Sequence, residues 1–164
     1  MNGTMPSAGM AFAIRSLGGP RRWRGRVRGL FGFLSREFEV DSTGTYERGA
    51  LVFSEHMKFS DGKVIERVWT IAETGPVLDL KADNIRLLRP GVLRGEWLVF
   101  EYSLSLGGVW CRYVDRFRST ADGRVENRGT ARFLGVPILK VEASALLHYP
   151  GEPSAIPAAL QGAT

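Results

Sequence analysis

The chain has 164 residues, 44% of them hydrophobic and 24% charged, with one cysteine and two histidines. That length makes one domain with a core of its own; the lone Cys111 excludes an intrachain disulfide or a cysteine metal cluster, and His56 and His148 leave little for a zinc or histidine-based catalytic site. The net charge of +5 originates in residues 1–30, which hold six arginines and no acid, so the rest is near neutral and no nucleic-acid-binding face is expected on it.

Residues 1–30 read as a flexible, Arg-rich arm. Met10-Ala-Phe-Ala-Ile-Arg15 is too short and too late for a signal peptide. Arg15, Arg21, Arg22, Arg24, Arg26 and Arg28 are interrupted by Gly18, Gly19, Pro20, Gly25 and Gly29, which argues against a long amphipathic helix. Such an arm is either solvated or weakly drawn to an anionic surface. A β-barrel domain is expected over 31–150 and a loose Pro/Ala/Gly-rich tail over 151–164. No apolar run approaches the ~20 residues of a membrane-crossing helix.

The first strand is expected near 31–41, with Phe38 and Val40 inward. Residues 49–73 are the most informative stretch. Leu51, Phe53, Met57 and Phe59 form one alternating apolar row and Ile65, Trp69 and Ile71 a second, as half-buried strands do. Ser60-Asp61-Gly62 fits a three-residue turn with a glycine bulge. It pairs Met57 with Ile65, Glu55 with Arg67, Phe53 with Trp69 and Leu51 with Ile71, so both rows share a face and the two charges meet on it.

A fourth strand is expected near 77–86 and a turn at Pro90-Gly91. A fifth strand near 93–106 carries Leu98, Phe100, Tyr102, Leu104 and Leu106 in alternation. Gly107-Gly108 then sets Tyr102 against Tyr113 and Phe100 against Asp115, turning Cys111, Tyr113, Asp115 and Phe117 inward on a sixth strand near 109–119. Ala121-Asp122-Gly123 repeats the first loop and sets Phe117 against Asn127, Asp115 against Gly129 and Cys111 against Phe133. A last strand near 138–149 turns Leu139, Val141, Ala143, Ala145, Leu147 and Tyr149 inward. Trp97, Trp110, His56 and His148 fall outward. Three independently read turns agree on one inward face. The expected fold is all-β, a single antiparallel up-and-down barrel of about eight strands, with a β-sandwich as the alternative.

Several polar groups fall on the inward face. Glu55 and Arg67 form either a self-satisfied pair that fixes the register or a site where Arg67 also reaches an acidic ligand group. Asp115 is either an acid hydrogen-bonded to tyrosines or Asn127, or a polar lining group whose burial raises its pKa. The candidate ligand-binding set is Arg67, Glu55, Asp115, Tyr102, Tyr113 and Asn127 with Trp69, Phe53, Phe100 and Phe117; no catalytic residue, metal or cofactor is assigned. Cys111 is expected to be a buried structural thiol.

Glu55-His-Met-Lys-Phe-Ser-Asp61-Gly62, Arg67-Val-Trp69-Thr-Ile71, Ala82-Asp83, Tyr102-Ser-Leu104, Asp115-Arg-Phe117, Asp122-Gly123, Asn127-Arg128 and Phe133-Leu-Gly135-Val resemble, over about 33–149, the bacterial domain-of-unknown-function family 3833. The resemblance implies a lipocalin-like (calycin) barrel. Relatives resemble lipoproteins; with no convincing signal peptide and no cysteine before Cys111, a cytoplasmic location is expected here, envelope association being the alternative. Three functions stay open: a barrel binding a small hydrophobic or amphipathic molecule, a filled domain acting through its surface, and an enzyme using Asp115 or Glu55 as acid or base.

Overall fold

The computed structural model describes residues 5–29 and 32–146. A helix, α1 (Ala8–Leu17), precedes ten strands: β1 (Gly19–Gly29), β2 (Ser35–Glu47), β3 (Ala50–Phe59), β4 (Val64–Thr74), β5 (Val77–Ala82), β6 (Ile85–Arg94), β7 (Trp97–Leu106), β8 (Val109–Ser119), β9 (Arg124–Phe133) and β10 (Val136–Leu146). Consecutive strands pair antiparallel, and β1 closes the sheet on β10. Closure removes the edges that a sandwich would leave, so the barrel stands and the sandwich does not.

The three expected turns set the registers as read. Glu55 faces Arg67, Phe53 faces Trp69 and Leu51 faces Ile71 across β3 and β4. Tyr102 faces Tyr113 and Phe100 faces Asp115 across β7 and β8, and Asp115 faces Gly129 across β8 and β9. In the first of these turns Gly62 donates its backbone N–H to the Phe59 carbonyl and Phe59 donates to that of Lys63, both at 2.9 Å.

Ten strands replace the expected eight. The largest correction is at the N-terminus, where 8–29 are not a flexible arm. The apolar segment 8–17 is a helix capped by the Ser7 hydroxyl, which accepts from the Met10 amide at 3.3 Å. It is apolar around most of its circumference, as a buried helix is. It lies across one end of the barrel, against β2, β3, β5, β6, β7 and β8. Met10, Ala13 and Leu17 are buried there. The arginines that follow sit in strand alternation, with Trp23 and Val27 turned in and Arg22, Arg24 and Arg26 turned out. Each of the three pairs with an acid on β2: Asp41 at 2.8 Å, Glu39 at 3.0 Å and Glu37 at 3.0 Å. The barrel therefore begins at Gly19 rather than at 31.

The second correction is at Pro90-Gly91, which lie within β6 rather than at a turn. The chain reverses instead around Asn84 (φ 60°) and Gly95 (φ 58°), both in the left-handed region that reversals need. Pro90 is tolerated because the ladder is thin there: β5 and β6 share one register pair, Leu78 with Gly91, and β6 slips register against β7 on both sides of Arg89. Third, Phe133 is 41% exposed rather than inward, because it ends β9 at the rim, beyond the packed part of the barrel. Leu147, His148, Tyr149 and the tail lie outside the described residues.

The core is densest beside α1, where Leu51, Ile71, Leu78, Leu98 and Val125 are at most 1% exposed. Each such side chain contributes about 1.5–3 kcal/mol by leaving water. Towards the other end the interior opens.

Candidate functional site: the barrel lumen

A cavity of about 400 Å³ runs from Leu17 of α1 to Gly29, Leu34 and Lys63 at the open end. Its walls follow from the alternation: inward-facing residues of β1–β4 and β7–β10 line it. Of the ten residues singled out in the sequence, nine line it: Arg67, Glu55, Asp115, Tyr102, Tyr113, Asn127, Trp69, Phe53 and Phe117. Phe100 does not. It lies below, 2% exposed, its ring filling the space where a Cβ on Gly91 would stand.

The aromatic lining is continuous. Phe53 stacks on Trp69 with centroids 6.0 Å apart, Trp69 meets Tyr102 edge-on at 5.9 Å, and Tyr102 stacks on Tyr113 at 5.2 Å. These spacings suit attractive aromatic pairs. The Tyr113 ring leans over Gly129, where a Cβ would lie 1.8 Å from its hydroxyl. Glycine at 129 is what admits the tyrosine.

Glu55 and Arg67 do not form the expected direct ion pair. The Glu55 carboxylate accepts from the Trp69 indole N–H at 2.7 Å, and the Arg67 guanidinium lies 5.8 Å from the centre of that indole. The reason is geometric: Trp69 sits two residues along β4 on the same face and reaches back diagonally to Glu55. Burial pushes the Glu55 carboxyl up, against the Trp69 hydrogen bond and the attraction of Arg67.

Asp115 accepts from the Tyr102 hydroxyl at 3.2 Å and from the Asn127 amide at 2.5 Å. Burial dominates over these bonds and pushes its carboxyl from the ordinary 3.8 up to about 6. Burial, and then the nearby Asp115 charge, push the hydroxyls of Tyr102 and Tyr113 well above the usual range, so both remain donors. The Tyr113 hydroxyl makes no hydrogen bond to another described residue, and Arg67 makes no ion pair among them. The lumen thus offers the Arg67 cation and the Tyr113 hydroxyl to a guest, set among aromatic rings, with Lys63 at its open end.

Sequence reasoning missed Trp23 and Ser42, which also line the cavity and are joined by an indole N–H to hydroxyl bond of 3.0 Å. The signal was available: arginines at every second position from 22 to 26 mirror the acids at 37, 39 and 41. Among the described residues, no cluster of histidine, cysteine, aspartate and glutamate could hold a metal ion. Cys111 is buried, with its thiol 3.8 Å from the Val109 carbonyl.

A family model described as a protein of unknown function (DUF3833) matches residues 8–144. The chain belongs to the DUF3833 family. The match begins at α1 rather than near 33, so the plug helix and β1 are part of the DUF3833 domain. No curated protein matches the sequence. Among solved structures, the barrel is similar to an S-type phycobiliprotein lyase from Guillardia theta, with a TM-score of 0.59 at 12% identity over 87% of this chain and 93% of that one. It is also similar to Rv2717c from M. tuberculosis, with a TM-score of 0.56 at 15% identity over 88% of this chain and all of the other. At these identities the likeness concerns the fold.

Proposed function

We propose that this DUF3833 domain is a lipocalin-like carrier that holds one small amphipathic molecule in its lumen, apolar body among the rings and acidic or hydrogen-bonding head at Arg67. The observation that carries the reading is the aromatic cavity of about 400 Å³ with the Arg67 guanidinium inside it, in no direct ion pair among the described residues. Ligand pockets are commonly about 300–1,000 Å³, mostly apolar, with few polar groups. A charge in such a place is costly without a partner, and its planar fork of donors suits a carboxylate or phosphate. Phe53, Trp69 and Phe117 would contact the body, and Tyr113 would donate to the head. The phycobiliprotein lyase shares the barrel, which adds no information about the guest here.

The test is calorimetric titration of delipidated protein with medium-chain fatty acids and their methyl esters, after native mass spectrometry for a co-purified molecule. One equivalent of acid should bind. Arg67→Gln should weaken the acid roughly tenfold and the ester little, the worth of one charge-assisted hydrogen bond. Val141→Trp, which places an indole in the lumen, should abolish both. Binding that survives Val141→Trp unchanged would place the guest elsewhere and refute the proposal.

A further inference from the structure

We propose that the open end of the barrel docks on an anionic phospholipid bilayer. Large apolar side chains stand exposed at three neighbouring connections of that end. Phe33 (87% exposed) and Leu34 lie between β1 and β2, Leu134 (87%) and Val136 at the β9–β10 turn, and Val109 and Trp110 at the start of β8. The barrel order β8, β9, β10, β1, β2 gathers them on one arc of the rim. Leu34 also lines the cavity, so this lip borders its entrance. Exposed apolar groups concentrated in this way mark an interaction surface.

Charge identifies the partner. The three stretches that build the arc, 28–36, 104–114 and 129–141, contain five arginines and lysines and no acid. Arg28 stands opposite Lys140, and Arg112 opposite Arg132. Arg112 is bound to Glu101 at 2.7 Å and Arg36 to Asp61 at 2.9 Å, whereas Arg28 and Lys140 make no ion pair among the described residues. Like charges opposed across a ladder are unfavourable on their own, and an anionic surface would relieve them. The other arc of the rim mixes charges, with Asp61 and Asp83 at its turns beside Lys58, Lys63 and Lys81. A second copy placed lip to lip would set these cations against their own kind. A bilayer of anionic lipid supplies negative charge at its surface and an apolar layer just beneath, the pattern that basic, apolar-tipped elements recognise. Trp110, with the Arg86 guanidinium 4.2 Å from its ring centre, suits the interfacial layer where tryptophan collects. Docking in this way needs no guest in the lumen, so it stands or falls separately from the carrier reading.

The experiment is flotation of the full chain with vesicles of phosphatidylcholine alone or mixed with phosphatidylglycerol. The chain should float with the mixed vesicles and remain behind with the neutral ones. The double variant Phe33→Ser, Leu134→Ser should lose this binding, its fold checked by an unchanged urea melt. Arg28→Ala with Lys140→Ala should weaken binding about tenfold or more, at the usual worth of a basic residue near such a surface. Val68→Ser, on the outer wall of β4 and 59% exposed, should change nothing. No flotation with mixed vesicles, equal flotation with neutral ones, or an equal loss in Val68→Ser would overturn the proposal. So would a dimer in sedimentation that the Phe33→Ser, Leu134→Ser variant dissociates.

Discussion

Asp115 keeps its proton to higher pH in the folded barrel than in the unfolded chain, because burial costs the ionised form more than Tyr102 and Asn127 return to it. The sign of the consequence follows from linkage. The folded state binds the proton more tightly, so this group favours folding below its unfolded pKa of 3.8 and loses that contribution as pH rises through about 6. Glu55 is shifted in the same direction. Between pH 5 and pH 7.5 the Asp115 contribution should fall by about 1 kcal/mol. Urea melts of wild type and Asp115→Asn at those two pH values check this: wild type should lose about that much more stability than the variant. Equal pH dependence in the two would mean that the carboxyl is solvated. Arg67 belongs to this scale too. Its partner in the register was legible from Ser60-Asp61-Gly62, but the intervening Trp69 indole was not, because strand pairing fixes which residues face each other and not where a long side chain ends.

At the scale of elements, the β2 strand passes directly under the link between α1 and β1. A Cβ on Gly44 would lie 2.3 Å from the Leu17 carbonyl oxygen and 3.0 Å from the Gly18 Cα. Backbone cannot yield as a side-chain end can, so Gly44→Ala should lift the plug helix and cost about 1–3 kcal/mol, the usual effect of overpacking. A urea melt within about 0.5 kcal/mol of wild type would mean that the helix sits loosely on the barrel, since surface changes stay in that range. The same region shows where the sequence was hard to read. Residues 51–71 and 98–129 declare their registers because turn chemistry and alternation coincide. Over 19–29 the alternation is there, but arginine, glycine and proline supply much of it, and only the acids of β2 reveal it as a ladder of ion pairs. The helix is short and apolar without an obvious polar face, and nothing local says that a barrel end awaits it. At Pro90 a turn residue sits within a strand, because the β5–β6 ladder breaks there.

For the whole molecule, helix, barrel and lumen form a graded interior. The end beside α1 is filled by aliphatic side chains, the middle is ringed by aromatics around Glu55, Arg67 and Asp115, and the far end opens beside an apolar, cationic lip. The sequence places the inward polar residues on one surface; that they surround space rather than fill it depends on ten strands instead of eight, which widens the barrel. The four tryptophans sample this interior unequally. Trp23 and Trp69 line the cavity, Trp97 stacks outside with Arg118 at 4.8 Å, and Trp110 lies on the lip. Their indole N–H resonances, followed by NMR during titration with a medium-chain fatty acid, test the carrier reading most directly. It predicts saturable shifts of Trp69 and Trp23 at one equivalent, with Trp97 unmoved. Shifts confined to Trp110, or none at all, would contradict it.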